Sequence, residues 1–332
     1  MKKLISIVLS ICLLGSLTIS AGAITIKDDS SVEEYEFSVL SKNMITGEVT
    51  ETVHTYEVDT AAYSLNSVTD VQPAWFPNQM KSGIGSANIN LASEENNLND
   101  ATLLSSAANG ILGGVDNRMK LTDTDEFPYS AICYMEMKID GKNKSATAFM
   151  IGDNVAITAG HCVYDNGDWD TDIKLYPGKS GAGFWNNPFG SVTVSEANVF
   201  APYWSEGENF IHDWAVLVLD KDIGNETGWF GFTWEHGDYG SQTFTMTGYA
   251  RDIDGYAVDD GYQYTHSGTI ATIADSYFLH TMDVTEGQSG GPIYTNAHIV
   301  YGIQSCTVSL NANQGARITK PVYLYFVEKL NE

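Results

Sequence analysis

Beyond residue 110 the apolar positions fall in short runs cut by turn residues, a texture that predicts strands. AICYMEMKI (131–139) meets a DGKN turn and returns as SATAFMI (145–151); NVAIT (154–158), WAVLVL (214–219), QTFTMTGY (242–249), GTIATI (268–273), GPIY (291–294) and HIVYGI (298–303) follow. Such spacing without βαβ alternation predicts an all-β barrel or sandwich. Only PVYLYFVEKL (321–330) reads as a helix. Upstream, Tyr35, Phe37 and Val39 alternate with polar residues, and Val49, Val53 and Val58 follow a Thr46-Gly47 turn, so a small hairpin is expected there.

The first 23 residues set Lys2 and Lys3 before an apolar stretch from Leu4 to about Ile19 and end on Ala21-Gly22-Ala23. They read as a secretory signal peptide, an uncleaved membrane anchor being the alternative, which the apolar run is short for, since a bilayer span takes ~20 residues. Residues 24–110 are poor in Trp, Gly and Cys, and their last part, 88–110, is rich in Asn, Ser and Ala. This segment reads as a removable pro-segment with an exposed linker, a minor permanent domain being the alternative, and 111–332 as the working domain. The product is expected to be secreted into the extracellular space, where disulfides are permitted.

Charge narrows the partners. The 332 residues carry 17 Lys plus Arg against 42 Asp plus Glu, a net charge of -25, which repels nucleic-acid phosphates and anionic lipid headgroups. Neither nucleic acid nor, after signal removal, a membrane is an expected partner. Four cysteines without a CxxC pair make no zinc site. DNGDWDTD (165–172) follows no EF-hand spacing and reads as a solvated acidic loop, with a structural Ca²⁺ as the alternative. No cofactor is expected.

Acyl transfer at neutral pH needs a hydroxyl activated by an imidazole, a buried carboxylate behind that imidazole, and backbone N–H groups facing the oxyanion. The chain offers each. TAGHC (158–162) puts His161 on a tight corner at a strand end, and HDWAVLVL (212–219) puts Asp213 at the mouth of an apolar strand. A carboxylate there is expensive to bury without a partner. GQSGGP (287–292) puts Ser289 in a glycine-rich turn able to aim the N–H groups of Gly287 and Ser289 at one point. GQSGG also fits the G-x-S-x-G elbow of α/β-hydrolases, which requires an acid and then a histidine downstream. Past Ser289 the chain has no Asp, only Glu328 and Glu332, and His298 is its sole histidine.

TAGHC, HDWAVL and GQSGGP, in the order His, Asp, Ser, resemble the chymotrypsin-fold serine peptidases. DNR (116–118), FPYSAI (127–132), FMIG (149–152), HSGTI (266–270), MDVTEGQSGGPIY (282–294) and GARITK (315–320) are similar to the bacterial V8-like glutamyl endopeptidase branch. The resemblance implies two antiparallel six-stranded barrels, about 119–225 and 235–325, with a short C-terminal helix. It further implies His161 and Asp213 from the first barrel, Ser289 from the second, and Ser305 supporting the triad carboxylate. The implied activity is a secreted serine endopeptidase acting on protein or peptide substrates through an acyl-enzyme, made as a zymogen and released by an activating protease. A non-catalytic binding protein on the same fold is the alternative.

The pocket departs from that pattern. Where glutamyl peptidases carry a histidine after the nucleophile and a small hydroxyl residue before it, this chain has Gln304 and Val284. Asp283 occupies the position of the pocket carboxylate in trypsin-like enzymes, and Glu286 that of a frequent glycine. Two acids beside the pocket favour Lys or Arg, so both specificities stay open. ILGG (111–114) resembles a trypsin-type activation sequence, but Gln288 replaces the Asp that would pair with the freed amine. In V8-like relatives that amine lies near the specificity pocket, and a mature start close to Ile111 is expected. Cys133, Cys162 and Cys306 remain after signal loss; a Cys133–Cys162 disulfide and free thiols both stay open.

Overall fold

The computed structural model describes residues 7–9, 25–29, 32–59, 71–77, 110–139, 141–165, 167–182, 186–201, 212–234, 239–240, 242–253, 256–257, 261–309 and 311–332. A hairpin, β1 (Val32–Asn43) and β2 (Val49–Asp59), precedes six strands: β3 (Ile132–Ile139), β4 (Lys142–Met150), β5 (Val155–Thr158), β6 (Thr171–Pro177), β7 (Val192–Phe200) and β8 (Ala215–Leu219). A second set follows: β9 (Phe244–Tyr249), β10 (Gln263–Gly268), β11 (Ile270–Ile273), β12 (Tyr277–His280), β13 (Pro292–Tyr294), β14 (Ile299–Ser309) and β15 (Ala312–Arg317). Helix α1 (Lys320–Lys329) ends the fold, with Pro321 in its first turn, where a missing N–H costs nothing.

The first set closes into a six-stranded antiparallel barrel in the order β7-β6-β3-β4-β5-β8, with β8 returning to β7. Gly141, at φ +71°, turns β3 into β4 where Ile139 faces Lys142, a left-handed position that glycine fills without strain. The outer half of β4 is exposed, but its inner half, from Ala146 to Met150, is buried on both faces because the second sheet packs across it. The second set runs β11-β12-β15-β14-β13-β9-β10. The run from 263 to 273 bends at Gly268-Thr269: β10 pairs with β9, and β11 pairs with β12. The expectation of two six-stranded barrels therefore holds as one closed ring and one sheet that turns back on itself through a bent strand. Besides α1, the described residues include one turn of α-helix, Gly224–Thr227, and short 3₁₀ turns, none of which the hydrophobic pattern indicated.

The hairpin expected near residue 47 is present and joins the first barrel, β1 pairing with β7 from Val39↔Phe200 to Asn43↔Glu196. Tyr35, Phe37 and Val39 point inward as the alternation predicts, joined by Tyr56 and Val58, whereas Val49 and Val53 are 40% exposed. Of the expected signal peptide only Ile7–Leu9 is described, paired with Glu51–Val53; the rest of 1–23 and the linker up to 109 lie outside the described residues. Among the described residues no helix is long and apolar enough to cross a membrane. Cys133, Cys162 and Cys306 are free thiols, so the Cys133–Cys162 disulfide is not formed.

Candidate active site

His161 and Asp213 are brought together by two chain ends of the first barrel. After β5 the chain makes one 3₁₀ turn, Gly160–Cys162, and Asp213 stands two residues before β8, β5's neighbour. A side chain on Gly160 would come within 3.2 Å of Asp213 Oδ1, so the bare backbone lets the carboxylate approach. Asp213 is fully buried. Its Oδ1 accepts from the His161 backbone N at 2.9 Å, and its Oδ2 from His161 Nδ1 at 2.7 Å and Ser305 Oγ at 2.5 Å. Three donors on one buried carboxylate offset the loss of water.

The Nδ1 contact sets the imidazole tautomer: with its proton directed at Asp213, Nε2 carries the lone pair of a base. Burial opposes charge on His161, but the attraction of Asp213 outweighs it and raises the imidazole well above 6.5. Burial likewise pushes the Asp213 carboxyl up; the charge and hydrogen bond of His161, with Ser305, hold it below its ordinary value.

Ser289 lies in a turn held from both sides. Gln288 N donates to Thr285 O, Gly291 N to Gln288 O, and Gly290 N to Gln304 O at 2.8 Å. From β4, Thr147 N donates to Ser289 O at 2.9 Å and Thr147 Oγ1 to Gly287 O at 2.8 Å. Gly290, at φ +85°, sits where a Cβ would lie 2.1 Å from Thr147 O, so only glycine fits. Ser289 Oγ donates to Ser305 O at 3.3 Å, and Ser305 Oγ in turn reaches Asp213, so one residue of β14 ties the serine turn to the His161–Asp213 pair.

The N–H groups of Gly287 and Ser289 have no acceptor among the described residues. The carbonyl of Glu286 accepts from Arg251 N at 2.7 Å, and in a trans peptide the Gly287 N–H must then point the opposite way, off Arg251. Two free donors beside a serine form the kind of site an oxyanion occupies.

Of the expected pocket residues, the two acids are engaged elsewhere. Asp283 is 1% exposed, and its carboxylate accepts from Leu112 N at 2.8 Å, Asn117 N at 2.9 Å and Asn117 Nδ2 at 3.0 Å. It anchors the 112–117 segment rather than facing a ligand. Glu286 turns outward to Arg251 Nη1 at 2.6 Å. The electrostatic case for a basic ligand side chain thus loses both its acids. Val284 is buried, its N donating to Gly110 O at 3.2 Å. Gln304 is 2% exposed, and its Oε1 accepts from His280 Nε2 at 2.8 Å while His280 Nδ1 accepts from Met282 N. Burial lowers the His280 imidazole to about 4, so it is neutral near pH 7. Gln304 Nε2 is left without a partner among the described residues.

The roles of two further residues, Arg118 and His280, escaped the sequence reading. Gln288, which replaces an acid, accepts from Arg118 Nη1 at 2.8 Å; the same guanidinium reaches Thr285 Oγ1 at 2.5 Å and pairs with Asp116 at 2.6 Å. An internal arginine therefore braces the serine turn where an N-terminal amine was considered. Nothing in the sequence singles out His280, an isolated histidine at a strand end. In the acidic loop Asp172 pairs with Lys138 at 2.6 Å, and no group of three metal-ligating side chains occurs among the described residues.

The two packed β-structures with His161, Asp213 and Ser289 at their junction form a chymotrypsin-like architecture, and the trypsin family model matches residues 120–327: the chain belongs to the trypsin family. Within it, the chain is 32% identical over 223 residues to the glutamyl endopeptidase of Bacillus licheniformis, covering 63% of this chain and 66% of that protein. It is 27% identical over 221 residues to a Bacillus subtilis protein named extracellular metalloprotease, again covering 63% and 66%. The chain thus spans somewhat under two thirds of the length of these curated relatives, 66%. A solved structure of a Glu endopeptidase in complex with MPD matches at TM-score 0.58 and 24% identity, over 67% of this chain and 99% of that one, a likeness of fold alone.

Proposed function

We propose that the chain is a secreted serine endopeptidase that hydrolyses peptide bonds through an acyl-enzyme. Ser289 Oγ attacks the peptide carbonyl while His161 Nε2 takes its proton, later returning it to the departing amine. Asp213 holds the imidazole and stabilises the imidazolium, and the N–H groups of Gly287 and Ser289 receive the oxyanion. The observation that carries this reading is the fully buried Asp213 carboxylate bound to both His161 and Ser305, with Ser289 hydrogen-bonded to the same Ser305. A fluorophosphonate probe is expected to label Ser289, and Ser289→Ala to abolish both labelling and peptide hydrolysis with the fold intact. Turnover surviving in that variant refutes the mechanism, and an unlabelled, inert wild type supports the binding-protein alternative.

For specificity we favour an acidic residue before the scissile bond. Support comes from the engagement of Asp283 and Glu286 elsewhere, from the unpartnered Gln304 Nε2, and from the glutamyl endopeptidase relative. A peptide panel varying only that residue tests it, and a preference for Lys or Arg overturns it. Zymogen activation rests on Gly110, at φ +78°, wedged so that a Cβ would meet Thr307 Oγ1 and Val284 O at 2.6 Å. Cleavage beside it would free an amine next to those pocket walls. N-terminal sequencing of the active secreted form is expected to start close to Ile111, and an active form beginning at Ile24 excludes this.

A further inference from the structure

We propose that the β1–β2 hairpin is a lasting structural part of the enzyme: once the chain is cut ahead of Ile111, the fragment holding the hairpin stays bound to the first barrel as a second, non-covalent chain. The inference takes from the proposed function only that cut.

The backbone argument concerns β7. Among the described residues strand β6 pairs only with Val192 and Thr193 of β7, leaving the stretch from Glu196 to Val199 bonded to β8 on one side alone. Strand β1 takes the other side over five residue pairs, extended by Met44 N to Ser195 O at 2.8 Å and Ala201 N to Ser38 O at 2.9 Å. Without the hairpin this stretch becomes an open edge next to β8, the strand that Asp213 precedes.

Side chains say the same. The Phe37 ring lies 5.8 Å from that of Phe200, 6.4 Å from Trp214 and 6.1 Å from Tyr325, and His54 lies 4.9 Å from Tyr325. Phe200, Trp214 and Tyr325 are at most 2% exposed with the hairpin in place. Its departure would turn that shared core toward water, which the hydrophobic effect opposes. Polar links complete the joint: Ser41 Oγ donates to Asn198 Oδ1 at 2.6 Å, Tyr56 OH to Glu328 Oε2 at 2.5 Å, and Lys320 lies 3.6 Å from Glu33. A second anchor follows, where Val71 and Gln72 pair with Thr233 and Phe232 and Trp75 stacks on Trp229 at 4.4 Å.

The strand pairs, ring contacts and polar links just described reach β7, Trp214 and α1 rather than the turn that carries Ser289, so a retained hairpin leaves that turn open. The trypsin family match does not include the hairpin, since it spans residues 120–327. The inference rests on these particular contacts.

The test uses the full chain carrying Ser289→Ala, with the recognition sequence of a site-specific protease placed within 88–109, so that its outcome does not depend on peptidase activity. After cutting, the two fragments are expected to co-elute 1:1 in gel filtration and to separate only in denaturant. Tyr56→Phe is expected to speed fragment release severalfold and Phe37→Ala at least tenfold; a Phe37→Ala chain that cannot fold supports the inference as well. Fragments that separate in buffer, leaving a larger piece with unchanged melting and near-ultraviolet dichroism, overturn it, as does release unaltered by both substitutions.

Discussion

Ser305→Ala removes one hydroxyl whose main effect should pass through Asp213. Ser305 Oγ donates to Asp213 Oδ2 at 2.5 Å, and the carboxylate is fully buried, so no water is at hand to replace it. A hydrogen bond to a buried charge contributes about 1.5–3 kcal/mol, which for a domain of this size corresponds to a melting shift of roughly 3–12 °C. The pH dependence isolates the cause. The folded pKa of Asp213 lies below its ordinary 3.8, so the stability it confers is present above that value and lost as pH falls through the depressed one. Removing Ser305's hydroxyl raises the folded pKa toward 3.8, so the variant's deficit should be full at pH 7 and shrink as Asp213 protonates. Melting of both proteins from pH 7 to well below pH 3.8 reads this, and kcat/KM should drop in parallel as the imidazole loses its firm seat. A variant as stable as its parent at pH 7, or a deficit that stays constant down the pH series, would falsify this account of the carboxylate.

Because Asp213 raises the imidazole above 6.5, the acid limb of kcat/KM should fall above that pH; Asp213→Asn leaves burial as the dominant influence, moving the limb below 6.5 with a loss of about 10⁴-fold in rate. Gly290→Ala forces a Cβ to within 2.1 Å of Thr147 O at a positive φ, so it should yield no active enzyme, and recovery of wild-type turnover would contradict the turn geometry. Asp283→Asn should lower the melting temperature by freeing the 112–117 segment while leaving the preference before the scissile bond unchanged; a switch in that preference would restore Asp283 to the pocket. Phe37→Ala in the uncut chain should cost about 3–5 kcal/mol, measurable by urea denaturation, since it empties a ring-sized space between Phe200, Trp214 and Tyr325.

Strands rich in apolar residues, such as β3, β5 and β8, are plain in the sequence. Strand β7 is not, because a register shift between Val194 and Glu196 breaks the alternation that marks a strand. Strand β15, with sequence ANQGAR, has almost no apolar side chain of its own; it is buried because β12 and β14 flank it. The engagement of Asp283 was hidden for a related reason. Counting back from Ser289 puts Asp283 at a pocket position, yet its partners Leu112 and Asn117 lie 171 and 166 residues away. No count along the chain announces that meeting.

By itself, then, the sequence determined what is local: the strand-and-turn texture, the hairpin near Gly47, the terminal helix, and the three motifs around His161, Asp213 and Ser289. Each depends on neighbours within a few residues, where backbone geometry and hydrophobic period are enough. Tertiary structure alone decided which carboxylate is satisfied by which donor, that Arg118 braces Gln288, that His280 orients Gln304, and that β1 completes β7. Those outcomes depend on chain segments brought together by barrel closure, where burial makes an unpaired charge or strand edge costly and so selects the partner that happens to be within reach.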